Sequence, residues 1–200
     1  LATLSTGAVQ RLVDAGEGQI LDCDLSWDAK QVLFSWKRKS DEGYHLFTVN
    51  LDGTELKQLT DGRWHDYNAC WLPDGGIAFI SDRKPAYAYC WVTTSPVLYR
   101  MERDGSKQQR LSANYLMDFT PSVLNNGRII YTRWEYVDRA ACPIQSLWTI
   151  NPDGTGLAGF YGNRVLSPGT FMDAQPIPNT DCVIATATNH NGPCRGGIVA

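Results

Sequence analysis

Apolar and polar residues alternate along most of this chain. VLFSW (32–36), LFTVN (46–50), IAFIS (77–81), VLYRM (97–101), IIYTR (129–133), LWTI (147–150) and VIATAT (183–188) each read as a strand with a buried face. No stretch sustains the 3.6-residue spacing of an amphipathic helix. Turn residues punctuate the runs, so an all-β chain is predicted.

Three segments align without gaps: HLFTVNLDGTELKQLT from His45, VLYRMERDGSKQQRLS from Val97 and SLWTINPDGTGLAGFY from Ser146. Each is a strand, an Asp-Gly turn and a second strand, because Gly takes positive φ without a Cβ clash and Asp tolerates the turn. Their aspartates, Asp52, Asp104 and Asp153, lie 52 and 49 residues apart. A second hairpin follows each: ACWLPDGGIAFIS around Asp74, PSVLNNGRIIYTR around Asn126 and PIPNTDCVIATAT around Thr180. DLSWDAKQVLFSW around Asp28 is an earlier copy.

Four short strands recurring at about 50 residues define a β-propeller blade, a small twisted sheet that buries its faces only against neighbours. A Greek-key sandwich spaces strands similarly but does not predict the same two-hairpin unit four times. We therefore expect four-stranded antiparallel blades, about four of them, with repeats near 1–43, 44–95, 96–145 and 146–200. Residues 1–200 would form part of a six- to eight-bladed propeller. The start at Leu1 and the closing GGIVA, read as the beginning of a fifth blade, suggest a piece of something longer. Faces left uncovered where such a series is cut predict a segment less stable and more prone to associate than its apolar content implies.

Carrying strand direction around the repeat puts every tight turn on one face, the bottom, and every long connection on the other, the top. Function favours loops on a rigid scaffold, so the top is the expected ligand or partner face. It collects His65, Asp66, Asp82, Arg83, Asp118, Arg133, Glu135, Asp173 and His190. Asp66, Asp118 and Asp173 share the pattern D-x-x-(Ala or Pro), and we read them as one repeat position that fixes a loop by accepting backbone N–H bonds. Trp134 is expected between blades, with Arg133 and Glu135 in ion pairs.

At 200 residues, 43% apolar and 20% charged, the chain has the makings of a folded core. Eighteen basic against 21 acidic residues, net −3, argue against nucleic acid as partner. No apolar run approaches the roughly 20 residues that span a bilayer, and the first residues lack the features of a signal peptide. Six widely spaced cysteines form no CxxC or CxxCH, which disfavours zinc ribbons and covalent haem within this segment. They read either as buried single thiols or as one or two disulfides between loops, Cys90 and Cys142 being the pair most readily in reach. GxSxG, HExxH, GxxxxGK and a strand-linked GxGxxG are all absent from the sequence, so no catalytic or metal-binding residue is assigned.

LYRMERDGSKQQRLS, LFTVNLDGTELKQLT and YNACWLPDGGIAFISDR, with the D-x-x-P pattern, resemble the TolB-like (PD40-type) propellers. DLSWDAKQVLFSW, CWLPDGGIAFISDR, VLNNGRIIYTRWEYVDR and ATATNHNGPCRGGIVA, in that order, look like exported bacterial proteins related to the hydrazine synthase alpha subunit. The resemblance implies a propeller module of a larger periplasmic or extracellular protein, with haem c in the parent but no cofactor in this segment. The leading expectation is a non-catalytic scaffold whose partners are other domains of its chain or other proteins. One alternative is part of a haem- or metal-dependent oxidoreductase with His65 and His190 lining a pocket. Another is a TolB-like binding propeller that gates or recruits a separate catalytic domain.

Overall fold

The computed structural model describes residues 1–3, 5–88, 92–135, 144–190 and 195–200. A short hairpin, β1 (Ala2–Thr3) and β2 (Ala8–Val9), comes first. The first sheet holds β3 (Gln19–Leu25), β4 (Gln31–Lys37), β5 (His45–Asn50) and β6 (Lys57–Gln58). The second holds β7 (Asp66–Trp71), β8 (Ile77–Ser81), β9 (Val97–Met101) and β10 (Gln109–Arg110). The third holds β11 (Met117–Val123), β12 (Ile129–Trp134), β13 (Gln145–Ile150) and β14 (Ala158–Tyr161), and the fourth holds β15 (Thr170–Pro176), β16 (Val183–Thr188) and β17 (Gly197–Val199). Within each sheet neighbouring strands are antiparallel and follow chain order. A single parallel pair, Gln145 with Thr170, links the third sheet to the fourth. The inner strands β3, β7, β11 and β15 pack one against the next, so the sheets are blades of a partial propeller.

Two sequence readings change. Each sheet begins with the inner hairpin, so sheets end at Gln58, Arg110 and Tyr161 rather than at 43, 95 and 145. A repeat drawn from 44 to 95 joins the outer strands of one blade to the inner strands of the next. GGIVA does not open a fifth blade either: Gly197–Val199 is the third strand of the fourth sheet, paired with Ala185–Ala187.

Local chemistry explains the repeated turns. Gly53, Gly105 and Gly154 have φ of 84°, 91° and 87°, while Asp52, Asp104 and Asp153 stay out of the left-handed region. Each carboxylate instead accepts the N–H two residues on, from Thr54, Ser106 and Thr155, at 2.9 Å. The inner turns repeat the device, with Gly76 N donating to Asp74 at 2.9 Å and Arg128 N to Asn126 at 3.1 Å.

Every inner strand also carries a bulge at one phase, between Ile20 and Cys23, Tyr67 and Cys70, Phe119 and Ser122, and Met172 and Gln175. Asn68, Thr120 and Asp173 take positive φ there, at 47°, 43° and 55°. This phase corrects the alignment of the three aspartates. Asp66 and Asp118, the first residue of β7 and the second of β11, stand two residues before the left-handed position, whereas Asp173 is the left-handed residue itself. Phe171 stands where Asp66 and Asp118 stand.

The core lies between blades. Leu33, Leu46 and Leu59 meet Trp71, Phe79 and Met101 between the first two. Leu72, Ile80 and Leu98 meet Ile129, Tyr131 and Ile150 between the second and third. Ile130 and Leu147 meet Phe171 and Ala185 between the third and fourth. Each large apolar side chain so buried contributes about 1.5–3 kcal/mol.

Backbone contacts set the approach. A Cβ on Gly105 would lie 2.4 Å from the carbonyl oxygen of Leu59 in the preceding blade, whereas one on Gly75 meets nothing within 4 Å. Both glycines have positive φ, 91° and 85°. Gly75→Ala should therefore cost about 1–2 kcal/mol from φ alone, and Gly105→Ala a further ~1–3 kcal/mol from the clash. Urea unfolding of the two variants checks the order.

Candidate functional site

The top-face residues separate into small structural groups. Asp66, the first residue of β7, is fully buried, and Arg83 grips it side-on, Nη2 to Oδ2 at 2.7 Å and Nε to Oδ1 at 3.2 Å. Arg83 Nη1 also meets Gln108, and its Nε donates to Ser81 Oγ at 3.1 Å. Buried Asp82 accepts the His65 backbone N–H at 2.8 Å. His65 Nδ1 in turn receives the Tyr44 N–H at 3.4 Å.

The third blade solves the same problem differently. Asp118 is fully buried and accepts Leu98 N–H at 3.1 Å, from the preceding blade, and Asn114 Nδ2 at 3.0 Å. Burial pushes its carboxyl up, against the pull of its Ser112, Asn114 and Leu98 partners. Arg133, opposite it across the strand pair, acts on it only through space; it bonds Glu135 at 3.2 Å and covers the Trp148 ring at 5.3 Å. Trp134 is buried with Ala88, Leu116 and Met117, between loops of the second and third blades.

His190 Nδ1 lies 2.9 Å from Gln145 Nε2, and its ring sits 5.1 Å from that of Trp134. Among the described residues no hydrogen bond or ion pair joins the Asp66, Asp118 and His190 groups to one another, and no three or more His, Cys, Asp or Glu side chains are placed to hold a metal ion. Cys90 and Cys142 lie outside the described residues. Of the three described cysteines only Cys70 is buried, its thiol pushed up mainly by that burial; Cys23 and Cys182 are exposed, which departs from the buried-thiol reading.

Asp173 belongs elsewhere, in an axial funnel of about 400 Å³ between the inner strands. Asp22, Asp24, Trp27, Asn68 and Thr120 line it as well. Asp22 accepts Ser35 N at 3.0 Å, Ser35 Oγ at 2.6 Å and Asn68 Nδ2 at 3.1 Å, together with the Asn68 N–H, and so ties the first blade to the second. Asp24 accepts Trp71 N–H at 2.7 Å, and burial raises its carboxyl. Thr120 accepts Asp173 N–H at 3.2 Å, tying the third blade to the fourth. Trp27, exposed, donates from Nε1 to Trp71 O at 3.2 Å. The funnel thus offers carboxylates, amides and the exposed Trp27 indole, a lining suited to a polar ligand or peptide. The sequence signal for it was the pair of acids at alternate positions in DCDL, which a search centred on long loops passes over.

Two measurements follow from this chemistry. Arg83→Met leaves a fully buried carboxylate without its cation and should cost about 3–5 kcal/mol, with part recovered on adding Asp66→Asn. Burial holds His45 and His190 below the ordinary imidazole value, which for His45 outweighs the opposing pull of Asp66. The unfolded chain then binds protons first on acidification. Their contribution is present above about pH 6.5 and falls as pH drops, by at most about 1.4 kcal/mol per unit for each ring. Urea midpoints at successive pH values should show this loss, and His45→Gln with His190→Gln should flatten it.

No family model matches the chain. Among curated proteins, 38 residues are 53% identical to dipeptidyl-peptidase 5 of Porphyromonas gingivalis, covering 18% of this chain and 6% of that protein. Among solved structures, hydrazine synthase of Kuenenia stuttgartiensis superposes with a TM-score of 0.73 at 17% identity, over 84% of this chain and 29% of its own. TolB of Acinetobacter baumannii gives 0.58 at 17% identity over 94% and 45%. A puromycin-hydrolyzing peptidase of Mycobacterium tuberculosis gives 0.59 at 13% identity over 84% and 25%. This chain therefore spans less than half of each of these relatives. Bulged inner strands, Asp-Gly turns and blade-to-blade packing, together with these likenesses, make it a partial β-propeller resembling TolB and the propeller of hydrazine synthase.

Proposed function

We propose that this propeller is a non-catalytic scaffold and interaction module of a larger exported protein, and that it engages other domains or proteins through its top loops. The carrying observation is one loop. Lys84 Nζ donates to Asn114 O at 2.9 Å, Tyr115 O at 2.9 Å and Leu116 O at 3.4 Å, pinning the 84–88 segment onto the next blade. Ala88 N donates to Thr93 O at 3.0 Å and Ser95 N to Ala86 O at 2.9 Å, so the arms 86–88 and 93–95 pair. Tyr87 and Val92 are 69% and 98% exposed. An anchored segment with an aromatic and an aliphatic side chain exposed suits a binding surface better than a reaction centre. Export is carried over from the resemblance to TolB and the hydrazine synthase relatives, as is haem c in the parent.

In the whole protein, Tyr87→Ser with Val92→Ser should weaken association of the propeller with its partner domain by about tenfold or more, while its unfolding midpoint stays put. Unchanged cross-links from the top loops to the rest of the protein would count against the scaffold reading.

A second reading has its own support in the hydrolase likenesses, namely the match to dipeptidyl-peptidase 5 and the fold shared with puromycin-hydrolyzing peptidases. In it the propeller gates or recruits a peptidase domain, and the funnel admits the peptide. The oxidoreductase reading rests on the hydrazine synthase likeness. His65→Ala with His190→Ala separates it: retained haem or metal content and activity in the whole protein fits a scaffold, and their loss makes these histidines part of a redox pocket.

A further inference from the structure

The first thirteen residues repeat the outer half of a blade. LATLSTGAVQRLV runs parallel to TVNLDGTELKQLT, with Leu12 at the place of Leu59 and Thr6 at that of Gly53, and Thr6 N–H donates to Thr3 O as Gly53 N–H does to Asn50 O. Gly7, one residue beyond the place of Gly53, has φ 68°, and β1 pairs antiparallel with β2, as β5 does with β6, across a tighter turn.

Packing makes the same equivalence. Leu59 belongs to the cluster that includes Tyr99 and Met101 of the following blade, and Leu111 packs on the cluster containing Ile150, with Trp148 beside it. Leu12 packs on Phe47 and Val49 in the same manner. The leucine carbonyls follow suit: a Cβ on Gly53, Gly105 or Gly154 would find the oxygen of Leu12, Leu59 or Leu111 at 3.8, 2.4 and 3.9 Å.

The inner half of this unit has left a different mark. The third strands β5, β9 and β13, each with a blade on both sides, are almost wholly buried, yet β1, like β17 at the other end of the series, is exposed along its length, and it pairs only with β2 among the described residues. Ile20, Leu21 and Leu25 on β3 are exposed, where β7 and β11 are largely buried. Between the ends of this hairpin, Leu1 and residues 10–13, and the first sheet runs an apolar groove of about 440 Å³, its wall including Leu12, Val13, Ile20, Val32, Phe34 and Val49.

We infer that this groove and the free edge of β1 form a docking slot for a two-stranded β-hairpin, the inner half of a blade of the same repeat, carried on the same polypeptide outside residues 1–200. One strand adds antiparallel to β1 through backbone hydrogen bonds. Apolar side chains at alternate positions fill the groove, as Trp71 and Phe79 fill the next interface. Continuity with three established blade interfaces selects this occupant over a small apolar ligand.

Cys23 gives the readout, since it is an exposed thiol that lines the groove, and Cys182, also exposed, lies on the fourth blade as an internal reference. A copy of residues 62–98, with its own cysteines changed to serine, is fused ahead of Leu1, and alkylation of both thiols by iodoacetamide is followed by peptide mass spectrometry. Docking should slow Cys23 relative to Cys182 by about tenfold or more, and Ile20→Lys should restore the rate in the fusion. Adding the hairpin as a free peptide covers a fusion that fails to fold. Unslowed Cys23 in both formats overturns the proposal. So does a dimer of the unfused chain in which Cys23 is already protected, because a second copy then fills the slot.

Discussion

A sheet of four short strands has two faces and no interior. Every blade here must therefore find its apolar cover in a neighbour, and that requirement governs the molecule. Leu33 and Leu46 have no burial without Trp71 and Phe79, nor Ile80 and Leu98 without Ile129 and Tyr131. The repeated turn serves it by letting the Leu59 carbonyl pass close to Gly105. The bulges serve it too, because they bend each inner strand and turn Asn68 and Asp173 N–H groups toward acceptors on the blade before.

Polar groups at these interfaces act as fasteners. Asp22 spans the first two blades with four accepted bonds, and Asp118 reaches back to Leu98 N–H. Such groups add directionality to packing that is otherwise tolerant of sliding, since a buried carboxylate displaced from its donors is costly. The loops above the blades inherit a rigid base, to which Lys84 anchors the segment that carries Tyr87.

Strands and turns were legible in the sequence because their causes are local. Alternation fixes which side chains face inward, and an Asp two residues before a Ser or Thr N–H writes its own turn. The phase of the blades was not legible, since a cyclic repeat reads the same from any starting point and only strand pairing decides where a sheet begins. Asp173 misled for a related reason: D-x-x-P recurs two residues out of register, and only the bulge pairing of Met172 and Gln175 reveals the slip. The funnel escaped notice because it is assembled from short stretches of four inner strands that lie far apart in the sequence. His65 and His190 looked distinctive as isolated letters, yet each turned out to hold a neighbouring loop or side chain.

The two buried aspartates carry one more lesson. Asp66 takes its arginine from position 83, beyond the end of its partner strand, whereas Asp118 faces Arg133 directly across the strand pair. The blades share a backbone plan but not a wiring diagram. A chimera that joined the inner strand of one blade to the second strand of another would match every turn and bulge and still strand a charge in the dry interior. Blades of this protein can therefore diverge or duplicate as whole units, but they cannot be shuffled strand by strand.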